Sequence, residues 1–525
     1  MYKTSLKKYS SYAYLFGVFL LAVSLPWSKF LMSNAQIILL ASWLLGGDLP
    51  SKLIRFLKNK TALVLSSVFI LHVIGLSYTT DFTYGLEDVQ KKIPLLLLPL
   101  IFSTSAPLSK KMLENVLSFF VLSVITASLV CFYVLLGYTH KQILQPQQAS
   151  VFISHIRFGL LISLSIFILA YFFFTKKILI LKIIIPALMV WLILFLLMME
   201  SATGLVCTAV ISVLLILYFI FTSKKIVVKL ALIAILILPA AYFGNSYLSA
   251  SKDVSKSLSE TKQLPLLTKN GNSYSHDTIS KETENGNYVW LNVCEKELAD
   301  EWNKKSRIGY GEKDLQRNEI KYTLIRFLAS KGLAKDSEGV NTLSEKEIQS
   351  IEKGIPNVNY IGLFNPKARV EKIIWEFNIF LKGGNPSGHS VIQRFEFWKA
   401  SIGIIKKNIL FGVGTGDADI AFADQYNKMN SPLTKEWRLR SHNQFLAIGV
   451  AFGIIGIMWF LISLFYPLIK ERNYKDYLYV TFFIIAFLSM LTEDTLESQA
   501  GATFFAFFNS LFLFCREKTV VNPES

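Results

Sequence analysis

Trp437-Arg438-Leu439-Arg440-Ser441-His442-Asn443-Gln444-Phe445-Leu446 runs straight into Ala447-Ile448-Gly449-Val450-Ala451-Phe452-Gly453-Ile454-Ile455-Gly456-Ile457-Met458-Trp459-Phe460. The first part is basic and polar; the second is apolar and uncharged, with no loop between them. A helix over the second part belongs in lipid or among other helices, with Gly449, Gly453 and Gly456 as close-packing positions. Arg438, Arg440 and His442 then stand at its mouth, which puts polar chemistry at a membrane surface.

The chain supports that reading. Of its 525 residues 52% are hydrophobic, and runs such as Leu179 to Met199 carry almost no charge, the composition of a polytopic membrane protein. A soluble protein would need many runs of about 20 apolar residues by coincidence. The formal charge of +17 does not point to nucleic acid, because the basic residues lie in short clusters between apolar runs. Cys131, Cys207 and Cys515 sit in or beside apolar runs, Cys294 stands alone in a polar region, and no CxxC pair occurs. Lys3, Lys7 and Lys8 precede an apolar segment with no Ala-x-Ala site, so residues 1–24 read as an uncleaved first helix.

Apolar runs fall near 11–30, 33–49, 61–79, 92–106, 112–138, 152–174, 178–199, 203–222 and 226–245, and again near 441–468, 475–492 and 496–515. The expected fold is therefore all-α, a polytopic membrane protein of about twelve transmembrane helices. Pro94 and Pro99 mark the fourth run as short and as broken or tilted. Basic clusters alternate along this plan: Lys52, Arg55, Lys58 and Lys60; Lys110 and Lys111; Lys176 and Lys177; Lys224, Lys225 and Lys229; Lys470, Arg472 and Lys475. By the positive-inside rule these connections and both termini are cytoplasmic. Acidic Asp81, Glu87, Asp88, Glu493, Asp494 and Glu497 fall on the other side.

The domain plan is then transmembrane helices over 1–245, a large helical periplasmic domain over 246–440 between helices 9 and 10, transmembrane helices over 441–515, and a cytoplasmic tail over 516–525. The polar region is too long for a connector. Ser249 to Ser259 and Lys269 to Asn287 read as loops. Ile320, Leu324, Phe327 and Leu328, and then Val370, Ile373, Ile374 and Phe377, have helical spacing.

Two motifs carry a family resemblance. Ser441-His442-Asn443-Gln444-Phe445-Leu446 with its Gly-rich apolar run, and upstream Arg394 with Trp398 four residues on and Gly412-Val413-Gly414 further along, resemble the signature of the O-antigen ligase and O-antigen polymerase superfamily. Members transfer a glycan from an undecaprenyl-diphosphate carrier, using membrane-face arginines to hold the diphosphate. The resemblance implies His442 as catalytic, either as the base, since neutral imidazole can take a proton from a sugar hydroxyl, or as the group that orients the diphosphate or acceptor. It implies Arg157 and Arg394, with Arg438 and Arg440, as diphosphate ligands, because a planar guanidinium bridges phosphate oxygens and stays charged. An arginine at 157, in the first turns of helix 6, must otherwise snorkel outward or find an anionic partner. Where many members have Ser-Arg-x-Gly after helix 7, this chain has Ser201-Ala202-Thr203-Gly204, so one diphosphate contact is missing or passes to Arg438 or Arg440.

Glu200, Glu493, Asp494 and Glu497 all fall on the outer face, as partners for the arginines or for acceptor sugar. The glycines at 412, 414 and 416 read as a tight turn rather than a phosphate loop, since no Walker lysine accompanies them. No residues show metal-ligand spacing, so no metal and no cofactor are expected. The resemblance makes the chain a glycosyltransferase of the bacterial inner membrane. Its partners are a lipid-linked glycan, the lipid A core or another glycan acceptor, and the bilayer. A polymerase joining lipid-linked repeat units is the alternative. A transporter or flippase fits less well, because the long polar region divides the runs unevenly and no matching halves are visible.

Overall fold

Helix starts are written in the capping residues. Ser28, Asn59, Asp81, Ser109, Ser154, Asn443, Asp476 and Ser498 each accept a backbone N–H of the first turn that follows, replacing a bond the helix cannot make for itself. The computed structural model describes residues 2–139, 143–254, 264–280, 282–361 and 391–516, with a few positions between 374 and 387. Its described residues are mostly helical, and the only sheet among them is the hairpin of Thr283–Glu284 with Asn287–Tyr288.

Among the described residues six helices are long and apolar enough to cross a membrane: Lys60–Tyr78, Lys110–Leu135, His155–Thr175, Leu181–Met198, Ala202–Thr222 and Gln444–Lys470. Lys29–Leu45 with Leu49–Lys58, bent by 113°, makes a seventh if the pair is one span. Ile226–Leu238, Tyr477–Thr492 and Gln499–Phe514 are apolar but shorter. The fourth run folds as one short helix, Pro94–Thr104, with Pro94 in the first turn, where its missing N–H costs nothing, and Pro99 inside. Leu49–Lys58 is a helix that the apolar runs do not announce; its charged residues Lys52, Arg55 and Lys58 make it amphipathic.

The chain divides into two bodies, one of Met1–Lys141, Gln147–Leu215 and Gln393–Ser525, the other of Gln142–Pro146 and Ile216–Ile392. In the first, Gln499–Phe514 is buried at every residue from Ala500 to Leu513, and Phe482, Phe504, Phe508 and Phe512 stack around it. In the second, Leu298 and Trp302 of Glu295–Lys305 pack with Ile320, Leu324, Phe327 and Leu328 of Ile320–Ser330 and with Ile348 and Ile351 of Glu345–Glu352. The helix expected from Ile320 to Leu328 is present. That over Val370 to Phe377 falls largely outside the described residues. The expected loop at Ser249 is corrected: the helix Ile226–Val254 continues through it.

Gln444–Lys470 breaks at Gly453, whose φ of 64° and ψ of −159° suit only glycine. A Cβ there would lie 2.4 Å from the Leu410 carbonyl carbon and oxygen. Gly453→Ala should therefore cost at least ~2 kcal/mol of stability, read as a lower thermal midpoint in detergent. Gly449→Ala, which meets only the tips of Ile405 and Ile457 at 2.8 Å, should fall much less.

Candidate functional site

Three helices begin at one place. Ser154 caps His155–Thr175, Asn443 caps Gln444–Lys470 and Ser498 caps Gln499–Phe514. Arg157 Nε donates to Ser498 Oγ at 3.3 Å and its Nη2 to the Asp494 carbonyl at 3.4 Å. Asn443 Nδ2 donates to the Leu491 carbonyl at 2.8 Å. Three N-terminal dipole ends thus converge on the turn between Tyr477–Thr492 and Gln499–Phe514, a setting that favours an anion.

Glu493 is the hub. Its carboxylate, 3% exposed, accepts from Arg394 Nη2 at 2.6 Å on Oε1 and faces His442 Nδ1 at 3.1 Å on Oε2. A carboxylate can only accept, so Nδ1 carries the proton and Nε2 keeps the lone pair, the tautomer a base needs. The imidazole stacks on Phe397 with centroids 5.5 Å apart and sits on a left-handed backbone, φ 43°. Burial by itself would lower the His442 pKa, but the hydrogen bond and charge of Glu493, helped by Asp494, outweigh it and raise the value despite Arg394.

Among the described residues Arg157 pairs with no carboxylate, and its Nη1 is buried without a partner. A guanidinium N–H left so is an unmet demand for an acceptor. Arg394 is engaged by Glu493 through one nitrogen and is a quarter exposed. Arg440 is committed elsewhere, to Asp419 Oδ1 at 2.6 Å, to the Tyr84 hydroxyl, and to Glu497 Oε2 at 3.8 Å. Arg438 holds the Leu433 carbonyl and Asn427 Oδ1 and lies over the Tyr426 ring, a role in shaping the 426–438 turn. Glu200, another left-handed residue, accepts from Gln147 Nε2 at 3.4 Å. Its neighbour Ser201 bonds the His155 carbonyl, and Gly204 packs against Gly159, where a Cβ on Gly204 would come within 2.9 Å of the Gly159 Cα.

Glu497 belongs to a second, sealed cluster that composition does not announce. Lys92 Nζ, fully buried, binds Asp88 Oδ2 at 2.6 Å and Glu497 Oε2 at 2.8 Å. Gln444 Nε2 donates to Glu497 Oε1 at 3.1 Å. Beside it lies a cavity of about 20 Å³, room for one water, lined in part by His72, Thr415, Arg440 and Ser441. The Asp88-x-x-x-Lys92 spacing, one helical turn with opposite charges, was the available signal.

His442, Glu493 and Asp494 also bring three possible ligand atoms within 4.8 Å of one another, although their sequence spacing shows no metal pattern. The glycines at 412 and 416 lie where backbone approaches backbone: a Cβ on Gly412 would lie 2.3 Å from Ala451 C, and one on Gly416 2.0 Å from Asp81 O.

Residues 355–461 match the family model described as O-antigen ligase, which spans Arg394, the glycine run, His442 and the start of the apolar helix. The matched segment is of the superfamily that its motifs resemble. No curated protein matches the chain.

The hub sets the charge state of His442 and makes a test. With Glu493→Gln the proton on His442 loses its partner while burial and Arg394 remain, so the imidazole pKa should drop below its ordinary 6.5. Diethyl pyrocarbonate reacts with neutral imidazole, and its rate at His442, followed by mass spectrometry across pH, should have a midpoint above 6.5 in the native protein and a lower one in the variant.

Proposed function

We propose that this chain is a glycosyltransferase that moves an O-antigen-type glycan from undecaprenyl diphosphate to a hydroxyl of the lipid A core, at the periplasmic face of the bacterial inner membrane. The observation that carries it is the buried, unpartnered Nη1 of Arg157, set among three helix N-termini and beside Arg394 and the His442–Glu493 pair. That is a receptor for a polyanion next to a base. The family match over 355–461 supports the class of reaction.

In this reading the diphosphate lies against Arg157 and Arg394. His442 Nε2 takes the acceptor hydroxyl proton as that oxygen attacks the anomeric carbon. The carbon–oxygen bond to the diphosphate breaks, its electron pair leaves with the carrier, and the charge that develops is met by the arginines and helix ends. Glu493 holds the imidazole in its working tautomer and steadies the imidazolium that forms. Lipid A core is the favoured acceptor and a second lipid-linked repeat unit the alternative; the same residues serve both.

The alternating basic clusters support about twelve crossings, with both termini cytoplasmic and residues 246–440 outside. A periplasm-dependent reporter fused after Asn285 should be active and one after Lys176 silent. The reverse result would put His442 on the wrong side for this substrate.

Purified protein given lipid-linked glycan should transfer it to one of two separately supplied acceptors, which names the acceptor. His442→Gln keeps a hydrogen-bonding side chain but cannot take a proton, and should lower turnover about 10²- to 10⁴-fold with donor binding retained. A variant retaining a tenth of native turnover would rule out this imidazole as the base. Transfer is expected to survive EDTA, since arginines take the place of a divalent ion here.

A further inference from the structure

Arg440 stands two residues before His442 and Gln444 two after it, and both are tied to one carboxylate, that of Glu497. Gln444 is bound to that turn twice, since its Oε1 accepts the Leu496 N–H at 2.7 Å. Glu497 itself lies one helical turn's length in sequence beyond Glu493, the partner of Nδ1. Both halves of the His442–Glu493 pair are thus referred to one fixed point. What fixes it is Lys92, whose ammonium is completely enclosed between Glu497 and Asp88.

We infer that Lys92, acting through Glu497, is a positioning residue for His442: it locks the 493–498 turn to the segment 440–444 and so holds the imidazole and the Glu493 carboxylate in register. Among the described residues the charged groups around this lock include Asp494, which acts on Glu497 through its charge. Asp88 and Glu497 contact the ammonium, while Arg440 is anchored from the far side by Asp419 and Tyr84. His72 lines the adjoining cavity. Burial opposes ionisation of Glu497, and Lys92, His72 and Arg440 overcome it, holding that carboxyl far below its usual range. A buried ion triad gains little net stability, because desolvation of the charges offsets their attraction. Its contribution is geometric. The left-handed backbone at His442 must be held by its surroundings, and the lock is what surrounds it on both sides.

The kinetic half of the test rests on the transferase reading; the chemical half does not. Lys92→Met with Asp88→Asn removes one positive and one negative charge and leaves Glu497 with Arg440 and Gln444, so no unpaired buried charge destabilises the fold. This double variant should keep its thermal midpoint within about 5 °C. Turnover should fall about 10- to 100-fold, as expected of a misplaced catalytic group, with the donor KM changed less than about threefold. Diethyl pyrocarbonate should modify His442 several-fold faster, compared on the high-pH plateau of each protein's reactivity profile, because the ring is released from Glu493 and Phe397. Asp88→Asn alone keeps the Lys92–Glu497 bond and should restore native values. A folded double variant with native turnover and native His442 reactivity overturns the inference. If the double variant does not fold, Gln444→Met cuts the same tie without touching a charge and must show the same split; native turnover and reactivity there overturn it equally. Absence of transfer by the native protein would count against the transferase reading, and the reactivity comparison would still decide the positioning role.

Discussion

A helix that breaks within an apolar bundle exposes backbone N–H and C=O groups that lipid and hydrocarbon side chains cannot satisfy. Gln444–Lys470 breaks at Gly453, and the segment after Gln393–Lys407 fills the gap. The Ile409 carbonyl accepts Ile454 N–H at 2.7 Å, while the Val450 and Ala451 carbonyls accept Val413 and Gly414 N–H, each at 2.9 Å. The next residues extend the strap to Lys60–Gly75: Thr415 Oγ1 donates to the His72 carbonyl, and Asp417 accepts from Thr79, Thr80 and Asp81. Arg394 lies on the helix that leads into the strap and His442 just before the cap of the helix the strap repairs, so backbone hydrogen bonding sets the distance between them. The glycines at 412 and 414 are needed because two main chains meet there with no room for a side chain.

On that frame the charges separate into an open and a closed set. Around Glu497 every partner is spoken for: Lys92, Gln444 and Arg440 surround it, and Arg440 in turn is occupied by Asp419 and Tyr84. Around Glu493 the partners are held by one edge each. His442 uses Nδ1, and Arg394 reaches Glu493 through Nη2. Arg157 leaves Nη1 unsatisfied. Two carboxylates four residues apart thus differ in setting, Glu497 enclosed by its partners and Glu493 bound by one edge of each of its own.

The apolar runs and capping residues made the helices legible, and Arg157, Arg394 and His442 are brought to one place as the motifs suggested. Their partner was not legible. Glu493 is 51 residues from His442 and 99 from Arg394, and a long-range pairing of single residues leaves no periodic trace. It read only as one acid among several in an outer turn. Lys92 marks only the start of the run 92–106 in sequence, whereas in the fold it ends the helix Phe82–Lys92 and is buried. Arg438 and Arg440 share the basic stretch before His442, yet both turn to structural partners, Arg438 to Asn427 and the Leu433 carbonyl, Arg440 to Asp419 and Tyr84. Helical spacing counts could not place the end of Ile226–Val254, since its last two turns are as polar as a loop.

The geometry also bears on whether the site would draw a cation or an anion. His442, Glu493 and Asp494 could converge on a metal ion, but such an ion would have to take Glu493 oxygens away from Arg394 at 2.6 Å and from His442 at 3.1 Å. Asp494 is a poor substitute: burial raises its pKa, Glu497 and Glu493 add to that, and His442 and Arg157 only partly oppose it. Its backbone carbonyl, meanwhile, is already used by Arg157. Among the described residues Arg157 Nη1 is a buried donor without a partner, and a guanidinium N–H is satisfied by a phosphate oxygen rather than by a metal. In the proposed reaction a leaving diphosphate would supply the acceptor that Arg157 Nη1 lacks, most strongly as the bond to the sugar breaks and negative charge accumulates, which is when stabilisation lowers the barrier.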